Sequence, residues 1–212
     1  MWEAEVARWG LHYRTSGGGV TSRDRSDGRS ARPGPKAYVV LCNHCIVKLA
    51  MDTDAMIKLT KGSAKETVSK AFTLILPPQV RRECVEQGKA GGYPDAIRIE
   101  ENLKTGRLVV ARGRRSAGTE ALIRDLKLLG GEADVVRLYR AGGADLIVSD
   151  DRRFLQFLEG LGIPFATPAA LIVALVRQGH AAPKEGLALL DKIAGSISED
   201  EYREARRALG GS

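Results

Sequence analysis

Acidic residues recur in this chain where apolar runs end. Asp52 and Asp54 follow Lys48-Leu49-Ala50-Met51, and Asp150 and Asp151 follow Ile147-Val148-Ser149. Between them, Glu83 lies soon after Thr73-Leu74-Ile75-Leu76-Pro77-Pro78, and Glu132 with Asp134 follows Gly130-Gly131. Carboxylates gathered on one rim repel each other, so such a cluster calls for a compensating cation. Hard oxygen donors suit magnesium or manganese, which keep several waters and bind through a few carboxylates and a substrate phosphate. Such an ion lowers the pKa of a bound water, aims it at phosphorus and neutralises developing charge. That is the chemistry of phosphodiester hydrolysis.

Positioning these acids needs a sheet whose strands all deliver their carboxyl ends to one edge, since open parallel sheets bind ligands there. The pattern from Tyr38 onward supplies it, with apolar runs of strand length alternating with amphipathic stretches of helix length. The strands are expected at Ile46 to Met51, Thr73 to Leu76, Leu108 to Ala111, Asp145 to Ser149 and, more weakly, Ile163 to Ala166. A helix opens at Ala55, Ser63 and Glu66 suggest a capping box, and the proline pair leads into a helix holding Glu83. Thr119 is read as a cap, and Gly130-Gly131 as the stop before a helix from Glu132 to Arg140. Thr167-Pro168 starts a helix to about Arg177, and Ser198 with Glu201 forms a capping box for the last one.

Plain structural roles compete for each acid taken singly. Asp54 can cap the helix that begins at Ala55, Glu132 and Asp134 can complement a helix dipole, and Glu83 can be solvated surface. Their combination favours the cation site.

Four segments then resemble the motifs of the PIN-domain nucleases, particularly the VapC-like toxins, in that family's order. They are Met51-Asp52-Thr53-Asp54, Pro78-Gln79-Val80-Arg81-Arg82-Glu83, Gly131-Glu132-Ala133-Asp134 and Val148-Ser149-Asp150-Asp151-Arg152-Arg153-Phe154. The resemblance implies a three-layer α/β/α sandwich with a mainly parallel central sheet. It implies a metal-binding quartet of Asp52, Glu83, Asp134 and Asp151, with Ser149 orienting substrate or water and Asp54, Glu132 and Asp150 secondary. It further implies RNA cleavage with Mg2+ or Mn2+, homodimerisation, and an antitoxin partner if the chain is a toxin.

The 212 residues suit one ordinary domain plus something shorter. A nuclease domain is expected over 45–177 and a helical extension over 178–212, its amphipathic face formed by Leu187, Leu189, Leu190 and Ile193. Residues 1–44 are expected to be a disordered tail, Gly-, Arg- and Ser-rich and without apolar period; an upstream start-site artefact, with the true chain beginning near Val47 or Met51, is the alternative. With 43% hydrophobic and 28% charged residues the chain reads as a soluble globular protein, and no apolar run approaches membrane-spanning length. The three cysteines and the absence of a secretory signal at the N-terminus point to the cytoplasm. A net charge of +7 favours polyanions, and Arg112, Arg114, Arg115, Arg152 and Arg153 are the candidate phosphate contacts. Aromatics, at 5%, offer no evident stacking platform.

Cys42-Asn43-His44-Cys45 lacks a second ligand pair for structural zinc, and Cys84 reads as a packing residue. Two rivals stand beside the nuclease reading. One is an aspartyl phosphatase, whose Asp-x-Asp motif Asp52-Thr53-Asp54 resembles; the other is a catalytically degenerate scaffold that only binds RNA or protein.

Overall fold

The central strands, short, rich in Leu, Ile and Val and buried on both faces, can only be covered by helices on each side, and that is what the chain builds. The computed structural model describes residues 47–210. The expected tail and the Cys42 to Cys45 cluster lie outside them. Strands β1 (Lys48–Met51), β2 (Thr73–Leu76), β3 (Leu108–Val110), β4 (Leu146–Val148) and β5 (Phe165–Ala166) form one parallel sheet ordered β3-β2-β1-β4-β5. The register pairs Lys48 with Thr73 and Met51 with Val148. The order reverses between β1 and β4, so the switch point, where a crevice opens beyond the carboxyl ends, lies between the two strands that carry Asp52 and Asp151.

Helices α1 (Thr53–Lys61) and α2 (Lys65–Ala71) link β1 to β2. After β2, α3 (Pro78–Arg81) runs through a π-helical stretch (Arg82–Gln87) into α4 (Gly88–Ala90), and α5 (Pro94–Lys104) completes the crossover. α6 (Ala117–Asp125) and α7 (Gly130–Arg140) join β3 to β4, and α8 (Arg152–Gly160) joins β4 to β5. Right-handed crossovers put α1, α2 and α5 on one face and α6 to α8 on the other, the three-layer α/β/α sandwich. Then α9 (Pro168–Arg177) packs against α1 and α2, and α10 (Pro183–Ile193) and α11 (Glu199–Ala208) pack against α9. Leu189, Leu190, Ile193, Ala205 and Leu209 enter the same apolar core as Leu49, Ile147 and Leu171, so the last two helices share the core of the sheet.

Several local expectations are corrected. Ser63 sits at φ 56° and makes no cap; Ala64 precedes α2 instead. Ser116, not Thr119, caps α6, its hydroxyl accepting from the Thr119 N–H at 3.2 Å. Gly130 and Gly131 open α7 rather than ending the helix before it. The helix after β1 begins at Thr53, so Asp52 is its cap and Asp54 lies inside the first turn. α5 was not foreseen from the sequence at all.

Candidate active site

β1 ends at the switch point by handing the Asp52 N–H to the Val148 carbonyl at 2.9 Å, which carries the sheet one residue further and fixes Asp52 beside β4. Asp52 is buried, 8% exposed. Its Oδ1 accepts from the Thr53 N–H at 2.8 Å and its Oδ2 from the Ser149 hydroxyl at 2.8 Å, so one carboxylate joins the ends of β1 and β4. Burial pushes the Asp52 carboxyl up to about 6, against those two hydrogen bonds, which favour the charged form; the charges of Asp54 and Glu132 add to the rise. Ser149 is fully buried, and its hydroxyl oxygen also accepts from the Asp151 N–H at 3.3 Å. Asp151 in turn caps α8, its Oδ1 accepting from the Phe154 N–H at 2.7 Å.

Glu83 arrives from the π-helical stretch after β2, where the widened turn reorients side chains and where functional residues are often found. Its carboxylate accepts from the Thr53 hydroxyl and, at 2.9 Å, from the Gln79 side-chain amide. The helix start of α7 presses on the same group: a Cβ on Gly130, at φ 52°, would lie 2.9 Å from Glu83 Oε1, and one on Gly131 3.1 Å from Oε2. Only glycine lets that helix N-terminus, with its free N–H groups and dipole, approach a carboxylate so closely. The glycine pair is therefore part of the site's construction.

The doubled acids of the third motif separate. Glu132, in the first turn of α7, stands near Asp52 and Asp151; burial and then the Asp151 charge hold its carboxyl above the usual range, with the Arg153 charge opposing. Asp134, two positions on and hence across the helix, accepts from Arg137 Nη1 at 2.8 Å and from the Gln79 N–H at 3.3 Å. Arg137 is gripped on its other side by Glu120, at 2.7 and 2.9 Å. The doubled acids of the fourth motif separate as well, because Asp150 is ion-paired with Lys58 of α1. Asp54 is exposed beside the rim.

The structure thus brings Asp52, Glu83, Ser149, Glu132 and Asp151 to one sheet edge and ties Asp134 and Asp150 to cations. Thr53, Gln79, Lys58 and Arg137, which hold these carboxylates, were not singled out by the sequence; Lys58 stands four residues after Asp54, the spacing of one helix face, the one signal that pointed to it. Cys84 is buried and its thiol is pushed up to about 12 by burial, which makes it a packing residue and no nucleophile.

Among the described residues, no three His, Cys, Asp or Glu side chains converge closely enough to form a ready-made metal cage. The donor set nevertheless fits a hard divalent ion. It is all oxygen, it concentrates negative charge on Asp52, Glu132 and Asp151, and magnesium needs only one or two direct carboxylates because it keeps its waters.

A doubly wound parallel sheet with acids at its switch point defines an open three-layer α/β/α class, and comparison makes the family definite. A family model described as PIN domain matches residues 48–210, so the chain belongs to the PIN-domain family, a family of nucleases. No curated protein and no solved structure matches. Among the described residues, no helix is long and apolar enough to cross a membrane.

Proposed function

We propose that this PIN domain is an endoribonuclease dependent on Mg2+ or Mn2+, with Asp52, Glu83, Glu132 and Asp151 forming the cation site. The observation that carries the reading is the Ser149 hydroxyl bridging the Asp52 carboxylate and the Asp151 backbone across the switch point, with the Glu132 charge facing both acids. When bound, the ion supplies an activated water and neutralises charge at phosphorus.

The chain's own residues divide the remaining work. Asp52 and Asp151, held by Thr53, Ser149 and the α8 N-terminus, orient oxygens toward the crevice. Glu83 is aimed by the Thr53 hydroxyl and the Gln79 amide. Of the third-motif pair, Glu132 takes the place beside the ion and Asp134 holds Arg137. Arg153, exposed at the rim and close enough to act on Glu132, supports contact with a substrate phosphate, as do exposed Arg112, Arg114, Arg115 and Arg152.

The VapC-like resemblance extends the reading to a cytoplasmic homodimer and, for a toxin, an antitoxin partner; co-purification with the product of an adjacent gene tests that part. Incubation with RNA, single-stranded DNA and a small phosphomonoester, each with Mg2+ and with chelator, tests the reaction. RNA cleavage lost in chelator is expected. Turnover of the phosphomonoester alone would favour the aspartyl phosphatase, and RNA binding without turnover the degenerate scaffold.

A further inference from the structure

The glutamate of the last helix does not act where its sequence places it. Ser198 accepts from the Glu201 N–H at 3.2 Å, as a capping box requires. The Glu201 side chain, however, crosses to the first turn of α9, where it meets the Thr167 hydroxyl and the Ala169 N–H, and its Oε1 is sealed from solvent without a hydrogen-bond partner. Beyond it lie the charges of Asp150 and Lys58. The Lys58 ammonium is ion-paired with Asp150, whose side chain is only 8% exposed. The Lys58–Asp150 pair, from α1 and the β4–α8 loop, thus stands one residue from Asp151, with Glu201 of α11 within reach of its charges.

A carboxylate this buried is costly without a counter-charge, and removing its partner strands it. Lys58 supplies that charge, and its ammonium stands where a metal ion bound to Asp150 would meet a like charge. Glu201, on α11, meets the start of α9 within reach of both charges and so couples the C-terminal helices to the loop.

We infer that Lys58 and Glu201 are positioning residues that hold Asp150 as an anchor rather than a metal ligand, fixing the Ser149–Asp151 loop so that the C-terminal helices belong to the catalytic unit. This rests on the reading of Asp52 and Asp151 as the cation site.

The test is a cycle of Lys58→Met, Asp150→Asn and the double variant in the full chain, with Asp151→Asn as comparator. Three quantities are read: RNA kinetics, Mn2+ binding to metal-free protein by calorimetry, and the unfolding midpoint. Lys58→Met is expected to lower kcat about tenfold with KM changed less than about threefold, and the double variant to recover most of the loss. Asp150→Asn is expected to keep its Mn2+ Kd within about twofold, where Asp151→Asn weakens it about tenfold or more. Glu201→Gln should lower kcat about two- to threefold with KM unmoved.

Weakening of Mn2+ binding by Asp150→Asn to the level of Asp151→Asn would overturn the inference. So would a KM rise in Lys58→Met that persists in the double variant, since that would make Lys58 a phosphate contact. Absence of Mn2+ binding or cleavage in the wild type faults the cation reading instead. The tether is then decided by the unfolding midpoint, expected to fall by about 3–5 °C in Lys58→Met and to recover in the double variant; no fall, or no recovery, overturns it.

Discussion

Two groups of carboxylates share one edge of the sheet and live in opposite electrostatic surroundings. The outer group, Asp134 and Asp150, is neutralised by Arg137 and Lys58. The inner group, Asp52, Glu83, Glu132 and Asp151, is held by hydroxyls, an amide and backbone N–H groups, which orient an acid without cancelling its charge. The burial that pushes Asp52 up to about 6 and the Asp151 charge acting on Glu132 show what that arrangement costs. Acids paired with Arg137 or Lys58 brace the rim, whereas those held by neutral donors keep their charge free for a ligand.

Asp52→Asn breaks the inner group outright and carries the largest expected effect. Cleavage should fall at least about a thousandfold, as for loss of a group at the reacting centre. The metal-free unfolding midpoint should stay level or rise by about 2–4 °C, because a buried charge is removed. Retained cleavage would end the assignment.

Within the third motif the contrast can be sharpened on one helix. Glu132→Gln should weaken Mn2+ binding about tenfold or more with little change in midpoint, and Asp134→Asn should do the reverse, lowering the midpoint with metal affinity within about threefold. Reversal of that pattern, read by calorimetry and thermal melts, would return Asp134 to the place the family resemblance gave it. Arg137→Met is next in size. It strands Glu120 and Asp134 together, and a fall in midpoint of about 3–6 °C is expected, with far more cleavage retained than in Asp52→Asn.

The smallest effect lies away from the rim. Lys65 is fully buried, its ammonium donating to the Arg98 carbonyl at 3.3 Å and facing Glu66, Arg98 and Glu101. Burial holds its pKa below 10.5, so the unfolded chain binds the extra proton and the folded state gains stability as pH rises toward 10.5. Lys65→Met should therefore melt about 1–3 °C above wild type near pH 7, and the gap should shrink between pH 8 and 10. A gap that widens with pH contradicts the sign.

Much of this was legible in the sequence because β-branched and leucine-rich runs of four residues, separated by helical stretches, leave a parallel sheet as the way to bury them. Thr73 to Leu76 and the helix start at Thr167-Pro168 were found where expected. Asp52 and Asp151 were visible because strand ends at a switch point are defined by topology, which the strand order supplies.

What was not legible depends on tertiary approach. Gly130-Gly131 looked like a helix stop because glycine ordinarily ends helices, while its role here is to admit Glu83. Which acid of each doubled pair stays unpaired is decided by Arg137 and Lys58, the latter 92 residues from its partner. Glu201 satisfied a local motif and was claimed by another helix.

The most direct test is an anomalous scattering map from crystals of this protein soaked in Mn2+. A peak is expected about 2.1 Å from a carboxylate oxygen of Asp52 or Asp151, with Glu132 facing it directly or through water. A peak lodged against Asp134 or Asp150, or none along this edge of the sheet, would contradict the account.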